Sequence, residues 1–317
     1  MRFIKLGFAA LLTAVVCLTG LYFFDHMKFY WFYRCLRYAP SLASCYQETN
    51  LDFTVDFYEM KYEGNTKTFV DRYILFLGAY EKPILYFLRD TMHALYGGHG
   101  VFVDVGANTG QHSMFMSRYA KEVHAFEPYK LVLDKFRKMV KMNQLNNIAI
   151  YPVGLGNENT KKRFYKPPDI NISMGSFVEG FKEENSPYEE LEIQKGDDAF
   201  QKAGVSSVSL IKMDIEGYEK LALQGLRRTL TVNRPTVVFE ISLGPNNPVG
   251  FKSREDLLAV FPDNYGFLVF RQPYAYSTGA YQLIEINRQL RFDVESQYDV
   301  VAYPIEKARQ LPRGSSP

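Results

Sequence analysis

The chain opens on one long apolar stretch and then settles into short blocks of alternating character. From Leu6 to Phe24, nineteen residues run without a charge or a proline, close to the ~20 that carry a helix across a hydrocarbon core. Arg2 and Lys5 precede the stretch. An aromatic belt from Tyr22 to Tyr33 follows, holding the only tryptophan, Trp31, with Lys28, Arg34 and Arg37 close by. That is the residue mix of a membrane interface. The pattern predicts a membrane anchor over 1–24 and an aromatic, basic stem over 25–50. A cleaved signal peptide fits less well, because Cys17-Leu18-Thr19-Gly20 makes a poor cleavage site and bulky aromatics follow it. Positive charges nearly balance across the span. The short N-terminus tips the orientation toward an N-in anchor with the bulk of the chain outside the cytosol.

Beyond the stem, residues 52–62 alternate through Phe53, Val55 and Phe57, predicting a half-buried strand, with a turn at Gly64-Asn65. Residues 84–95 read as a helix ended by Gly97-Gly98. Then short apolar runs at 101–105, 122–126, 148–153, 209–213, 236–240, 266–270 and 299–303 read as strands. Helical stretches separate most of them: after Gly110 to Tyr119, over 129–145, around Leu223, Leu226 and Leu230, and over 253–260. Val132, Phe136, Met139 and Val140 share one helix face. Strands alternating with helices predict an α/β fold with a doubly wound, mostly parallel, seven-stranded sheet. The last two strands lack a helix between them, so one is expected to run antiparallel at the edge. The domain limits read as an N-terminal extension at 51–98, a catalytic domain at 99–305 and a tail at 306–317.

Composition narrows the function. With 47% hydrophobic and 15% aromatic residues, the 317-residue chain is not a disordered protein. Its three cysteines, Cys17, Cys35 and Cys45, exclude a disulfide scaffold and a cysteine-rich zinc module. Cys35 and Cys45 read as idle thiols or as a pair in an oxidising compartment. The net charge of +2 divides unevenly: residues 1–45 hold five Lys and Arg against one acid, and the rest holds 32 against 34. The folded part is therefore slightly acidic, which disfavours nucleic acid as a partner. Lys161-Lys162-Arg163 and Arg227-Arg228 are too small for nucleic-acid patches and read as a solvated face. Asn171-Ile172-Ser173 is a glycosylation sequon, which matters only in a eukaryotic lumen.

Ligands of doubly wound sheets bind at the carboxyl ends of the strands, where the strand order reverses. The run at 101–105 ends in Asp104-Val105-Gly106-Ala107-Asn108-Thr109-Gly110. Glycines there let a ligand approach the backbone. A dinucleotide fold wants a glycine where Asn108 stands, and Asp104 repels a pyrophosphate. An acid suits a ligand with a cationic amine and no phosphate, such as S-adenosylmethionine (SAM). Glu127 lies 23 residues after Asp104, near the ~20 expected of an acid that accepts hydrogen bonds from ribose hydroxyls. The fourth long run ends in Asp214, Glu216 and Glu219, and the fifth in Glu240. Clustered carboxylates are costly unless paired, metal-bound or functional. No histidine nearby supports a metal. Glu219 reads as a structural helix-end acid, and His112 and His124 as structural.

At this point the chain resembles a family. VFVDVGANTGQHS, VHAFEPYKLVLDKFRKMVKMNQLNN, LIKMDIEGYEKLALQGL and RPTVVFEIS are together similar to the FkbM family of SAM-dependent methyltransferases, over roughly 71–304. The resemblance takes in Gly78-Ala79-Tyr80-Glu81. It implies a class I, Rossmann-like methyltransferase fold and methyl transfer, typically to hydroxyl oxygens of sugars or polyketide-like products. It implies that the loop of Asp104, Gly106, Ala107, Asn108 and Gly110 holds the methionine end of SAM and that Glu127 holds the ribose. Gly154 and Asn157 would lie near the adenine, and residues 171–177 on the acceptor side. Asp214 and Glu216 would border the methyl and the acceptor, with Asp214 the first candidate base and Glu216 and Glu240 in reserve. The expected partners are SAM, a hydroxyl acceptor of sugar, glycan or lipid type, and a membrane. Two rivals are a nucleotide-cofactor oxidoreductase and an inactive, membrane-tethered binding protein.

Overall fold

The computed structural model describes residues 50–167, 175–180, 187–243, 247–272, 277–286 and 296–314. The anchor and nearly all of the stem, with Cys17, Cys35 and Cys45, lie outside these residues, as does the sequon at Asn171. Among the described residues, no helix is long and apolar enough to cross a membrane.

Residues 52–317 form one compact unit. It opens with a hairpin, β1 (Asp52–Phe57) and β2 (Met60–Asn65), then α1 (Phe69–Leu77) and α2 (Lys82–Tyr96). The alternating part follows as β3 (Val101–Val105), α3 (Gln111–Met116), β4 (Glu122–Phe126), α4 (Lys130–Met142) and β5 (Ile148–Tyr151). Next come β6 (Gly154–Gly156), β7 (Thr160–Tyr165), β8 (Tyr188–Lys195) and α5 (Gly196–Lys202). The second half holds β9 (Leu210–Met213), α6 (Glu219–Gly225), α7 (Arg227–Val232), β10 (Thr236–Leu243) and α8 (Arg254–Val260). It ends with β11 (Tyr265–Phe270), β12 (Leu283–Glu285) and β13 (Ser296–Pro304).

The main sheet has eight strands in the order β12-β11-β13-β10-β9-β3-β4-β5. β3, β4, β9 and β10 pair in parallel, as do β4 and β5, while β13 runs antiparallel to both neighbours. Strand order reverses at β3, which has β4 on one side and β9 on the other. Period-2 alternation divides the core. Phe102, Leu210, Val238 and Val301 pack with Ile84, Leu85 and Leu88 of α2 and Phe115 of α3. Val103, Ile211, Phe239 and Val300 pack on the opposite face with Leu223, Leu226 and Leu230. Two residues further along the first face, toward the carboxyl ends of the parallel strands, the same alternation puts Asp104, Lys212, Glu240 and Asp299. In register, Asp104 and Lys212 share a row with Val238 and Val301, and Glu240 and Asp299 stand one row nearer the strand ends, so charge enters this face step by step.

Several sequence expectations need correction. Residues 52–62 are not one strand. The chain reverses at Tyr58 and Glu59, both left-handed at φ 52° and 65°. The expected turn residue Gly64 sits inside β2 instead. A Cβ there would lie 2.2 Å from the ring of Phe53, so the glycine makes room for the aromatic across the hairpin. The strand expected over 148–153 stops at Tyr151. Pro152 has no N–H for the ladder, and the chain passes into a separate three-stranded sheet, β6-β8-β7, that the periodicity did not reveal. The main sheet has eight strands and not seven, because β12 is only three residues long. Of the two last expected strands, the antiparallel one, β13, is not at the edge but between β10 and β11, and the edge belongs to the short β12, itself antiparallel to β11.

The extension is locked to the rest by one buried acid. Asp71 of α1 is fully buried. It accepts hydrogen bonds from the Tyr62 hydroxyl (2.7 Å) and the Asn65 amide (2.8 Å), both in β2. Lys135 of α4 donates to both of its oxygens, at 2.8 and 2.7 Å. Tyr62 Oη also lies 3.2 Å from Thr109 Oγ1 in the glycine loop. Removing one partner of such a buried set strands the others. Asp71→Ala is expected to cost about 3 kcal/mol or more of unfolding free energy. Denaturant titration measures this, and a loss under about 1 kcal/mol would mean that the extension is held by other contacts.

Candidate active site

The turn after β3 is tightly packed. Gly106, Asn108 and Gly110 all have positive φ, at 78°, 54° and 85°. A Cβ on Gly106 would stand 1.9 Å from the carbonyl oxygen of Asp214, and one on Gly110 would stand 2.0 Å from the Phe136 ring. Only glycine lets the loop lie against both the β9 loop and α4. The amides of Gly106 and Ala107 both donate to the Phe126 carbonyl (2.9 and 3.2 Å), and that of Asp214 donates to Val105 (3.0 Å). Three strand ends are thereby tied together.

A cleft of about 550 Å³, open to solvent, lies over these ends. Gly106, Asn108, Glu127, Gly154, Asp214 and Glu216 line it. Glu127 is buried at the end of β4. Its two oxygens accept from the amides of Asn108 (2.9 Å) and Tyr129 (2.8 Å). Each oxygen keeps a second lone pair for a ligand donor. Burial pushes this carboxyl up to about 7, although the two amides work against the shift. Beyond Glu127 the wall is aromatic: Tyr129 and Phe164 have ring centroids 5.1 Å apart, and Phe164 and Phe177 5.2 Å. A Cβ at Gly175 would strike the Phe164 ring at 2.2 Å. The small sheet carries Phe164, so it supplies a flat apolar surface that the sequence reading missed.

The other expected residues lie outside the cleft lining. Asp104 is fully buried in β3, and its Oδ2 accepts from Ser113 Oγ (2.7 Å). Ala107 and Gly110 shape the loop from behind. Asn157 is exposed, past the end of β6. Glu240 does not end its strand, since β10 runs on to Leu243, and it faces Asp299 across the pair. Its Oε1 accepts from Ser242 Oγ (2.9 Å) and Gln297 Nε2 (3.2 Å). Burial, then Asp214 and Glu216, push it well above the usual carboxylate range. His124 is spent on the Tyr151 hydroxyl (2.9 Å).

The loop after β9 carries the acids at the far end of the cleft. Glu219 folds back to accept from the amides of Ile215 (2.9 Å) and Gly217 (3.2 Å), so it builds the loop. Burial pushes it up to about 8. Glu216 is left-handed at φ 51°, and its carbonyl accepts from Ser176 Oγ (2.6 Å). Asn247 Nδ2 donates to the Gly217 carbonyl (2.9 Å). Asp214 keeps 28% of its side chain exposed and takes an ion pair from Lys212 at 3.0 Å. The pair occupies Oδ2, so Oδ1 remains for a ligand. No group of three metal-ligating side chains occurs among the described residues.

The family model described as the methyltransferase FkbM domain matches residues 104–269, just over half of the chain. The chain belongs to the FkbM methyltransferase family. No curated protein matches it. Among solved structures it is similar to the methyltransferase FkbM from Methylobacillus flagellatus, at 18% identity and TM-score 0.39, over 70% of this chain and 50% of that one. The match therefore spans half of the Methylobacillus protein. A SAM-dependent methyltransferase from Agrobacterium tumefaciens is similar at 10% identity and TM-score 0.43, over 80% of this chain and 70% of that one. A Streptococcus mutans protein in complex with S-adenosylhomocysteine (SAH) is similar at 12% identity and TM-score 0.38, over 70% of this chain and 97% of that one.

The family resemblance implies SAM as the methyl donor, and the cleft fits it. Glu127 offers two spare acceptor sites for a ribose, the Tyr129–Phe164–Phe177 wall suits a purine, and the acids suit a cation. When bound, SAM supplies a methyl on sulfonium, already a good leaving group. The chain's own task is alignment and exclusion of water.

Glu127 must be ionised to accept from both ribose hydroxyls. Its carboxyl is raised, so protons compete with the cofactor below about pH 7. SAH affinity, measured by calorimetry, is expected to fall as pH drops from about 8 to about 6. Glu127→Gln is expected to weaken binding about tenfold or more and to flatten that dependence. An unchanged affinity in the variant would remove the ribose role.

Proposed function

We propose that this methyltransferase transfers the methyl of SAM to a hydroxyl oxygen of a sugar, glycan or lipid-linked acceptor, held at a membrane by residues 1–24. The observation that carries the reading is Asp214 at the end of the cleft, with one carboxylate oxygen paired to Lys212 and the other open. A hydroxyl is a weak nucleophile, and a carboxylate that accepts its proton's hydrogen bond orients the oxygen and eases proton loss. A neutral acceptor suits the excess of acids around that point, whereas a phosphate backbone does not. The anchor reading rests on the apolar run from Leu6 to Phe24 and the aromatic belt behind it. An enzyme so tethered meets acceptors that are themselves at the membrane. With an N-in anchor, catalysis takes place outside the cytosol.

SAM held by Glu127 and the glycine loop would supply the methyl on a sulfur that departs with the bonding electron pair as the acceptor oxygen takes the carbon. The hydroxyl proton passes to Asp214 or, through it, to water. Labelled SAM added to membrane and soluble fractions tests the acceptor class. Label is expected in a glycan or glycolipid fraction as an ether methyl stable to mild alkali, and label confined to protein or nucleic acid would overturn the reading. Asp214→Asn is expected to lower turnover about a hundredfold or more, with a much smaller change in SAM affinity. Turnover within about threefold of the parent would remove Asp214 from the chemistry.

A further inference from the structure

Glu81 lies outside the residues that the family model matches, yet the fold spends effort to place it. It precedes α2 in a left-handed conformation, φ 50°, and is buried. Gln111 clamps the backbone beside it, accepting from the Tyr80 amide (2.6 Å) and donating to the Tyr80 carbonyl (3.0 Å). The carboxylate is thereby held under protein, where charge is expensive.

Its surroundings do not compensate it fully. Glu81 Oε2 is buried without a hydrogen-bond donor, and so are Asp104 Oδ1 and His112 Nε2. Glu81 Oε2 and His112 Nε2 stand 3.4 Å apart, without hydrogen-bond geometry. Every element packed on this point contributes a charge or a titratable group: Glu81 before α2, Asp104 on β3, His112 on α3, Lys212 and Asp214 on and after β9, Glu240 on β10 and Asp299 on β13. Glu216 and Glu219 follow in the β9 loop. Lys212 is the only buried lysine among the described residues. Burial and Lys212 keep His112 well below its ordinary range, so it adds no positive charge. Acids therefore outnumber cations at the end of the cleft where Asp214 stands, and two buried acceptor atoms have no donor.

We propose that Glu81 completes, with Asp104, Asp214 and Asp299, a carboxylate ring around Lys212 that senses the extra positive charge of SAM over SAH and exchanges protons for it. This rests on SAM as the cofactor and not on the identity of the acceptor. Without ligand, Glu81, Asp104 and Asp299 are drawn toward the protonated form, while Asp214 stays ion-paired with Lys212. Burial is the first cause for Glu81, Asp104 and Asp299; Asp214 adds to each, and Asp299 is pushed up to about 7. A cation favours the ionised form of each acid and expels protons. SAM carries a net charge of +1 and SAH none, so the two ligands differ at this ring and nowhere along the ribose or purine. Once the methyl has left, the ring takes its protons back and its hold on the product weakens.

Calorimetry of the full chain in detergent at pH 7, in buffers of different ionisation enthalpy, counts the protons exchanged. SAM is expected to release about half a proton or more beyond SAH. Glu81→Gln is expected to narrow the SAM-over-SAH preference about tenfold, with SAH affinity changed by about twofold at most. Equal proton release for the two ligands in the parent, or an equal loss of affinity for both in the variant, would overturn the ring. The parent's proton count decides alone if the variant does not fold. If neither ligand binds the parent, the cofactor reading itself falls and the ring falls with it.

Discussion

The Lys212–Asp214 ion pair is the contact on which the site depends. A sheet interior has no water to support charge, and a lone carboxylate there costs several kcal/mol. Burial works against the Lys212 ammonium, but Asp214, Glu81 and Asp104 outweigh it and hold it well above its ordinary value. In return it makes the charged layer bearable. That layer occupies the same sheet face as the main apolar cluster, only one alternation step further along each strand. The fold reaches its most hydrophobic and its most charged parts on one face, separated by a single side-chain repeat.

Two additions to the doubly wound sheet complete the site from opposite sides. The hairpin and first two helices carry Glu81 to the strand ends and are fastened through Asp71 to β2 and α4. The small sheet swings out after Pro152 and returns Phe164 to the cleft, and the segment bridged to it at Tyr165–Ser176 brings Phe177 beside it. Ser176 then bonds the carbonyl of Glu216, so the aromatic wall and the acid loop brace each other. Each addition meets the central sheet at a loop that glycine or left-handed geometry shapes.

Much of this was legible before any coordinates. The parallel strands β3, β4, β9 and β10 announced themselves as short Val/Ile/Phe runs ending in glycine or acid, and their ends did carry Gly106, Glu127 and Asp214 to one cleft. What escaped had physical causes. The turn at Tyr58-Glu59 has no glycine, because the side chains tolerate left-handed φ there, while Gly64 serves packing against Phe53. β7 alternates with Lys and Arg on its outer face, so it passed for a solvated charge run. Asp299 opened a strand of otherwise apolar residues, and only the pairing of β13 with β10 shows that it faces Glu240. Glu81 was quoted only as part of a family pattern. Its placement depends on the clamp between its neighbour Tyr80 and Gln111, 31 residues apart, which no local spacing encodes.

The position of β13 has a consequence for the order in which the protein is made. Emerging last of the strands, it nevertheless lodges between β10 and β11, in register with both. A growing chain that has finished β11 therefore holds a sheet with a gap where a strand belongs. Asp299 arrives with that strand, so the acidic layer closes only once β13 has been made. Earlier, Asp71 waits 64 residues for Lys135 to appear. A chain cut short before Ser296 would carry the glycine loop and Glu127 without the completed acid layer.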